Sequence, residues 1–209
     1  YFKSNEQGFI CQLNSFVFEL PLIGSFNLSN AMAAYKSVKS LGYDDDTLIP
    51  KLAELSPPPG RMQKLAKKNI WIDYAHTPDA LLNAVITLQD HYPDYRIRLV
   101  FGCGGDRDKT KRQIMGKIAS ENAHSIIITN DNPRSEEPEK IIDGILAGIK
   151  VENDFQVILD RKKAIISAVT TLDENEVLLI AGKGHETTQT IGSQILPFSD
   201  IEVALNALI

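Results

Sequence analysis

Ile70-Trp71-Ile72-Asp73-Tyr74-Ala75-His76-Thr77-Pro78-Asp79-Ala80-Leu81-Leu82 holds both halves of a strand-to-helix unit. The run Ile70 to Ile72 is apolar without alternation, as in a strand covered on both faces. Thr77 then offers a capping side chain, Pro78 suits the first helical position and Asp79 the first turn, so a helix starts there. Leu81, Leu82, Val85 and Leu88 give that helix an apolar face.

Working outward, the alternation repeats. Arg96 to Phe101 reads as a strand, and a helix covers about 109–121. Ser125 to Thr129 is a strand, and Pro138 opens a helix with Ile141, Ile142, Ile145, Leu146 and Ile149 on one side. Phe155 to Leu159 is a strand, followed by a helix at about 161–171. Glu176 to Ala181 is a strand, followed by a short hairpin and a last helix from Ser199. Strands and helices in alternation, with mostly apolar strands, predict an α/β fold built on a doubly wound, mostly parallel sheet.

Upstream the pattern differs. Residues 9–20 read as short strands, including Phe16 to Leu20, and 27–41 as a helix. Ser56-Pro57-Pro58-Pro59-Gly60 separates the two regions, since three prolines continue neither a helix nor a central strand. A hydrophobic share of 43% over 209 residues is ample for a core. The net charge of −5 is spread without a block of like charges, which argues against nucleic acid or an anionic membrane as partner. Cys11 and Cys103 form no disulfide framework or zinc spacing, and no apolar run approaches membrane-spanning length. A reduced, cytoplasmic setting and a monomer acting on small molecules are expected. The start at Tyr1-Phe2-Lys3, without Met, is read as a piece of a longer protein.

Four segments carry chemistry. Asp131-Asn132-Pro133-Arg134 follows the apolar run Ile126 to Thr129, at a strand-to-helix corner where open α/β sheets place ligands. An Arg fork matches a carboxylate, and an acid or amide receives an ammonium. Asn-Pro is equally a turn dipeptide, so turn and site both remain open. Gly102-Cys103-Gly104-Gly105-Asp106-Arg107-Asp108 is no dinucleotide fingerprint, because Arg107 holds the third glycine position. Its charges suit an acidic ligand or a solvated turn. Asp73 and His76 could meet ribose hydroxyls or phosphate, or simply decorate a helix start. Gly182-Lys183-Gly184-His185-Glu186 resembles half a P-loop, yet G-x-x-x-x-G-K-S/T is absent from the chain. Glu186 could receive an ammonium there, with Gly182 allowing close approach; a plain glycine turn is the alternative. No histidines are spaced as metal ligands.

Together these segments resemble the Mur ligases, the ATP-dependent amino-acid-adding enzymes of peptidoglycan precursor synthesis. Gly24-Ser25-Phe26-Asn27-Leu28-Ser29-Asn30-Ala31-Met32-Ala33-Ala34 is similar to a superfamily stretch, with Phe26 where a His is common, so no role passes to Phe26. Gly60-Arg61-Met62, the Asp73-to-Leu81 segment and Gly104 to Asp108 resemble signatures of the members that add diaminopimelate. The resemblance implies that residues 1–60 are the end of a central ATP-binding α/β domain with its linker. It implies that 61–209 are a Rossmann-like C-terminal domain that brings the amino acid, hinged at Pro57-Pro58-Pro59. ATP, Mg2+ and a UDP-muramoyl dipeptide are implied as cofactors and substrates, held mainly by residues upstream. Arg107, Asp131, Asn132, Pro133, Arg134, Gly182 and Glu186 are implied as diaminopimelate contacts. Asn27, Asn30, Arg61, Asp73 and His76 are implied on the nucleotide side of an interdomain cleft. No catalytic residue is assigned. The competing expectations are an amino-acid-binding module without turnover and a folylpolyglutamate synthase-like ligase that adds glutamate.

Overall fold

The computed structural model describes residues 1–5, 7–65 and 68–209. It divides into two compact units, Tyr1–Pro57 and Pro58–Ile209, with the division inside the proline run.

The first unit has an antiparallel sheet of β1 (Phe2–Asn5), β2 (Gly8–Leu13) and β3 (Phe16–Leu20), in that order, with helices α1 (Ser25–Lys39) and α2 (Asp45–Ala53). Alternate strand residues Phe9, Cys11, Phe18 and Leu20 face Leu28, Ala31, Tyr35, Ile49 and Leu52 of the helices in one core. Sequence reading did not foresee β1 or α2. The strand β1 is almost wholly exposed and shows no apolar alternation. The helix α2 carries Pro50 inside it, which reads as a breaker. It forms nonetheless because Asp44 caps the Thr47 amide and Asp45 and Asp46 occupy the positive end.

The second unit runs β4 (Gln63–Leu65), β5 (Ile70–Asp73), α3 (Pro78–His91), β6 (Arg96–Phe101), α4 (Thr110–Asn122), β7 (Ser125–Ile128), α5 (Pro138–Leu146), β8 (Asp154–Val157), α6 (Arg161–Thr170), β9 (Glu176–Ala181), β10 (Thr188–Ile191), β11 (Gln194–Pro197) and α7 (Asp200–Asn206). Six strands form a sheet in the order β4-β5-β9-β6-β7-β8, parallel except for β4. The doubly wound, mostly parallel α/β sheet expected from the sequence is therefore present. Thr77 caps α3 by accepting from the Ala80 amide, with Pro78 at the helix start. The helix from Pro138 ends at Leu146, so Ile149 lies beyond it.

The winding positions the site. Ile70, Ile72, Leu178, Ile180, Val100 and Ile127 point to one face and pack under Ala164, Ile165, Ala168 and Val169 of α6 and Ala204 of α7. Helices α3, α4 and α5 pack in sequence against one another, and right-handed crossovers put them on the opposite face. The chain leaves β5 and β6 toward α3 and α4, but leaves β9 toward α7. Since β9 lies between β5 and β6, their outgoing loops diverge and open a crevice at the carboxyl edge of the sheet.

Candidate functional site

That crevice is a cavity of about 490 Å3. Its lining draws Tyr74 and His76 from the loop after β5, Arg107 from the loop after β6, Asp131, Asn132 and Arg134 from the loop after β7, and Gly182 and Glu186 from the loop after β9. Four of the strand ends thus converge on one volume. Pro133 lies just behind the lining, with its carbonyl against Gly105. Asn27 and Asn30 belong to α1 of the first unit, where the Asn27 amide donates to the Ile23 carbonyl at 2.9 Å and Asn30 is exposed.

The cavity offers acceptors beside Gly182. Asp131 is 7% exposed, and among the described residues nothing donates to its carboxylate. Burial pushes its pKa up, opposed by the Arg161 and Lys183 charges. A buried carboxylate without a protein donor is what a ligand ammonium satisfies. Glu186 accepts through one oxygen, Oε2, from Lys183 at 2.8 Å and Asn132 at 3.0 Å. Burial opposes its ionisation, but Lys183, Asn132 and the Arg134 charge together hold its pKa below the usual range. Gly182, at φ 117°, keeps this side open, because a Cβ there would lie 2.8 Å from the Asp131 Oδ2.

Arginines line the same cavity. Arg134 sits at φ 53°, pinned by its own amide donating to Thr190 and its carbonyl accepting from Gly192. Its Nη1 donates to the Gly105 carbonyl at 2.8 Å, and among the described residues no carboxylate pairs with it. Left-handed backbone at a non-glycine residue is strain that the surrounding structure must hold in place. Asp106 is also left-handed, at φ 54°, and ends the loop that presents the exposed Arg107.

The two corners are stitched together. Asp106 accepts from the Ser135 amide and hydroxyl, and Glu136 accepts a two-pronged pair from Arg112 plus the Asp106 amide. These bonds hold the Glu136 carboxyl down at about 2. A depressed carboxylate stabilises the fold fully above its unfolded value of 4.5, and loses that contribution as pH falls through about 2. Glu136→Gln is therefore expected to be less stable than the parent above about pH 5, with the gap closing toward pH 2. Denaturant midpoints of both proteins across that range check this; a gap that does not vary with pH would contradict it.

Behind the cavity, Arg161 and Asp200 form a fully buried pair, Nε to Oδ1 and Nη2 to Oδ2 both at 2.7 Å. Arg161 also donates to the carbonyls of Ala181 at 2.9 Å and Asn130 at 3.3 Å, so it ties the ends of β9 and β7 to α7.

At the rim, the Tyr74 ring carries the Arg61 guanidinium at 4.7 Å, with the His76 and His185 rings at 4.6 and 5.0 Å. The Asp73 carboxylate is committed to the Met62 and Ala75 amides, each at 2.8 Å. Asp73 thus fixes the loop that carries Arg61 and does not line the cavity. Sequence reading missed Lys183, Arg161, Asp200, Glu136 and Tyr74 as contributors. Lys183 was visible as a cation between two glycines after an apolar strand. The Arg161–Asp200 pairing has no local signal.

A polar cavity lined by two acids, an amide and two arginines at the carboxyl edge of a doubly wound sheet is where α/β domains of this class place small ligands. The Mur ligase, glutamate ligase domain model matches residues 60–184. The chain is 48% identical over 194 residues to UDP-N-acetylmuramoyl-L-alanyl-D-glutamate--2,6-diaminopimelate ligase of Coxiella burnetii, covering 91% of this chain and 40% of that protein. It is 43% identical over 202 residues to the enzyme of that name from Rickettsia felis, covering 96% and 38%. A solved structure of a ligase of that name superposes with a TM-score of 0.73 at 36% identity, over 100% of this chain and 44% of that one. The chain belongs to the Mur ligase family. It spans about two fifths of the length of the curated relatives it matches.

Proposed function

We propose that this chain is the amino-acid-selecting part of an ATP-dependent amide-forming ligase. The ligase adds meso-diaminopimelate to UDP-N-acetylmuramoyl-L-alanyl-D-glutamate in peptidoglycan precursor synthesis. The observation that carries this is the one cavity lined by Asp131 and Glu186 together with Arg134 and Arg107. Diaminopimelate has an amino-acid group at each end. Its distal carboxylate meets Arg134 in a two-pronged bond, with Asn132 beside it. Its distal ammonium meets Asp131 and Glu186, with Gly182 leaving room. Arg107 steadies the remaining carboxylate. The other amino group, uncharged, then points out of the cavity toward an acyl phosphate; its nitrogen bonds the acyl carbon, the carbon–oxygen bond to the phosphate breaks, and inorganic phosphate and a proton leave as the amide forms.

On this reading the residues here supply position and charge complementarity and no nucleophile. Activation of the carboxylate by ATP falls to residues outside this chain. No P-loop sequence is present, and among the described residues no group of three or more His, Cys, Asp or Glu could hold a metal ion. The chain therefore does not fit Mg2+ or the ATP phosphates by itself. Arg61 and His76, on the Tyr74 ring, and Asn27 and Asn30 of the first unit are assigned to nucleotide contacts, with Asp73 acting through the Arg61 loop. The setting is the cytoplasm, the acting form a monomer; among the described residues no helix is long and apolar enough to cross a membrane.

The test is nucleotide-dependent turnover by the complete ligase with single amino acids. Diaminopimelate should support it. Turnover with glutamate in its place would point to the folylpolyglutamate synthase-like reading and reject this one.

A further inference from the structure

Lys183 has no exposed surface, and it lies two residues beyond β9, a strand that is buried along its whole length. A buried ammonium is costly unless it is paired and hydrogen-bonded. Lys183 Nζ donates to Asn132 Oδ1 at 3.1 Å and to Glu186 Oε2 at 2.8 Å, and Asn132 Nδ2 donates to the same Glu186 oxygen at 3.0 Å. The three side chains close a triangle. Asn132 Oδ1 also accepts from the Thr190 amide at 2.9 Å, so its amide has one orientation only.

The triangle has a consequence for the cavity. Glu186 Oε2 is saturated, and among the described residues nothing donates to Oε1, which remains for a ligand. Lys183 also supplies positive charge between two cavity carboxylates, Glu186 and Asp131, which repel each other. Arg161, the other buried cation nearby, is bound two-pronged by Asp200. We infer that Lys183 is a positioning residue for amino-acid binding: without touching the ligand, it fixes Glu186 and Asn132 so that one free carboxylate oxygen faces the incoming ammonium. This rests on the function proposed above.

The experiment measures all three substrate KM values in the complete ligase for Lys183→Met, Glu186→Gln and the double variant. Lys183→Met keeps the length of the side chain and removes its charge. Losing one charge-assisted contact at the ligand corresponds to a rise of about 10- to 100-fold in the diaminopimelate KM, with the KM values for ATP and the UDP-dipeptide unchanged. Glu186→Gln should raise the same KM, and the double variant should be no worse than the more damaged single one, because both act through one oxygen. The inference is overturned if Lys183→Met leaves the diaminopimelate KM unchanged, if all three KM values rise together, or if the two losses add. Loss of the folded state in both Lys183→Met and Lys183→Gln would make Lys183 a strut and overturn it equally. A parent enzyme that does not use diaminopimelate would reject the proposed function itself, a separate outcome.

Discussion

Arg134→Ala, made in the complete ligase, is expected to raise the KM for diaminopimelate by about 100-fold or more and to let lysine compete as a substrate. Lysine has the length of diaminopimelate but lacks its distal carboxylate. In the parent enzyme, lysine is expected to leave the Arg134 fork desolvated and unpaired, because among the described residues no carboxylate is bonded to it. Hydrogen bonds to charged groups contribute about 1.5–3 kcal/mol each, and two parallel prongs exceed one. Removing the guanidinium takes away both the attraction for one substrate and the penalty against the other, so selectivity falls from both sides. Ala and Arg share the same left-handed backbone restriction, so the φ of 53° is no source of difference between them. Arg134→Lys should fall between, keeping the charge and losing the fork. Initial rates against both amino acids check this; an unchanged ratio of their kcat/KM values would remove Arg134 from the recognition of the distal carboxylate.

Asp200→Ala is expected to cause the largest loss of stability of any single change in the second unit. It leaves the Arg161 guanidinium fully buried with only carbonyls for partners. Breaking a buried ion pair on one side costs about 3–5 kcal/mol. For a chain of this size that lowers Tm by on the order of 10 °C. The loss should also loosen the cavity, since Arg161 ties the ends of β7 and β9 together there. Arg161→Met combined with Asp200→Leu should recover part of the loss, because it removes the orphaned charge. Thermal melts followed by circular dichroism check both; a Tm for Asp200→Ala within a degree or so of the parent would contradict the account of the pair.

The second unit was legible because its signals are local. Thr77-Pro78, Pro138 and Ser199 mark helix starts within three or four residues, and the buried strands are mostly apolar. The strands β1 and β4 lacked such signals. The first is exposed, and the second is a three-residue edge strand recognised only by its pairing with β5. Of the cavity, Asp131-Asn132-Pro133-Arg134 could be read because acid, amide and guanidinium fall within four residues. What could not be read is how the groups are used. Asp73 ends a strand, as a ligand-binding acid does, yet its two oxygens hold the Met62 and Ala75 amides. Asp200 lies 39 residues from Arg161, and only the packing of α6 beside α7 brings them together. Lys183 was plain as a residue type, but its burial against Asn132, 51 residues away, has no local signal.

If the corner at Arg134 reads a second carboxylate on the incoming amino acid, the enzyme must discriminate between diaminopimelate and lysine. The most direct measurement is the ratio of kcat/KM for diaminopimelate to that for lysine in the complete parent ligase. A site built around a polar group rejects analogues that lack it by ~10⁴-fold or more in favourable cases. The expected ratio is on the order of 10⁴; equal kcat/KM values for the two amino acids would remove Arg134 from this role.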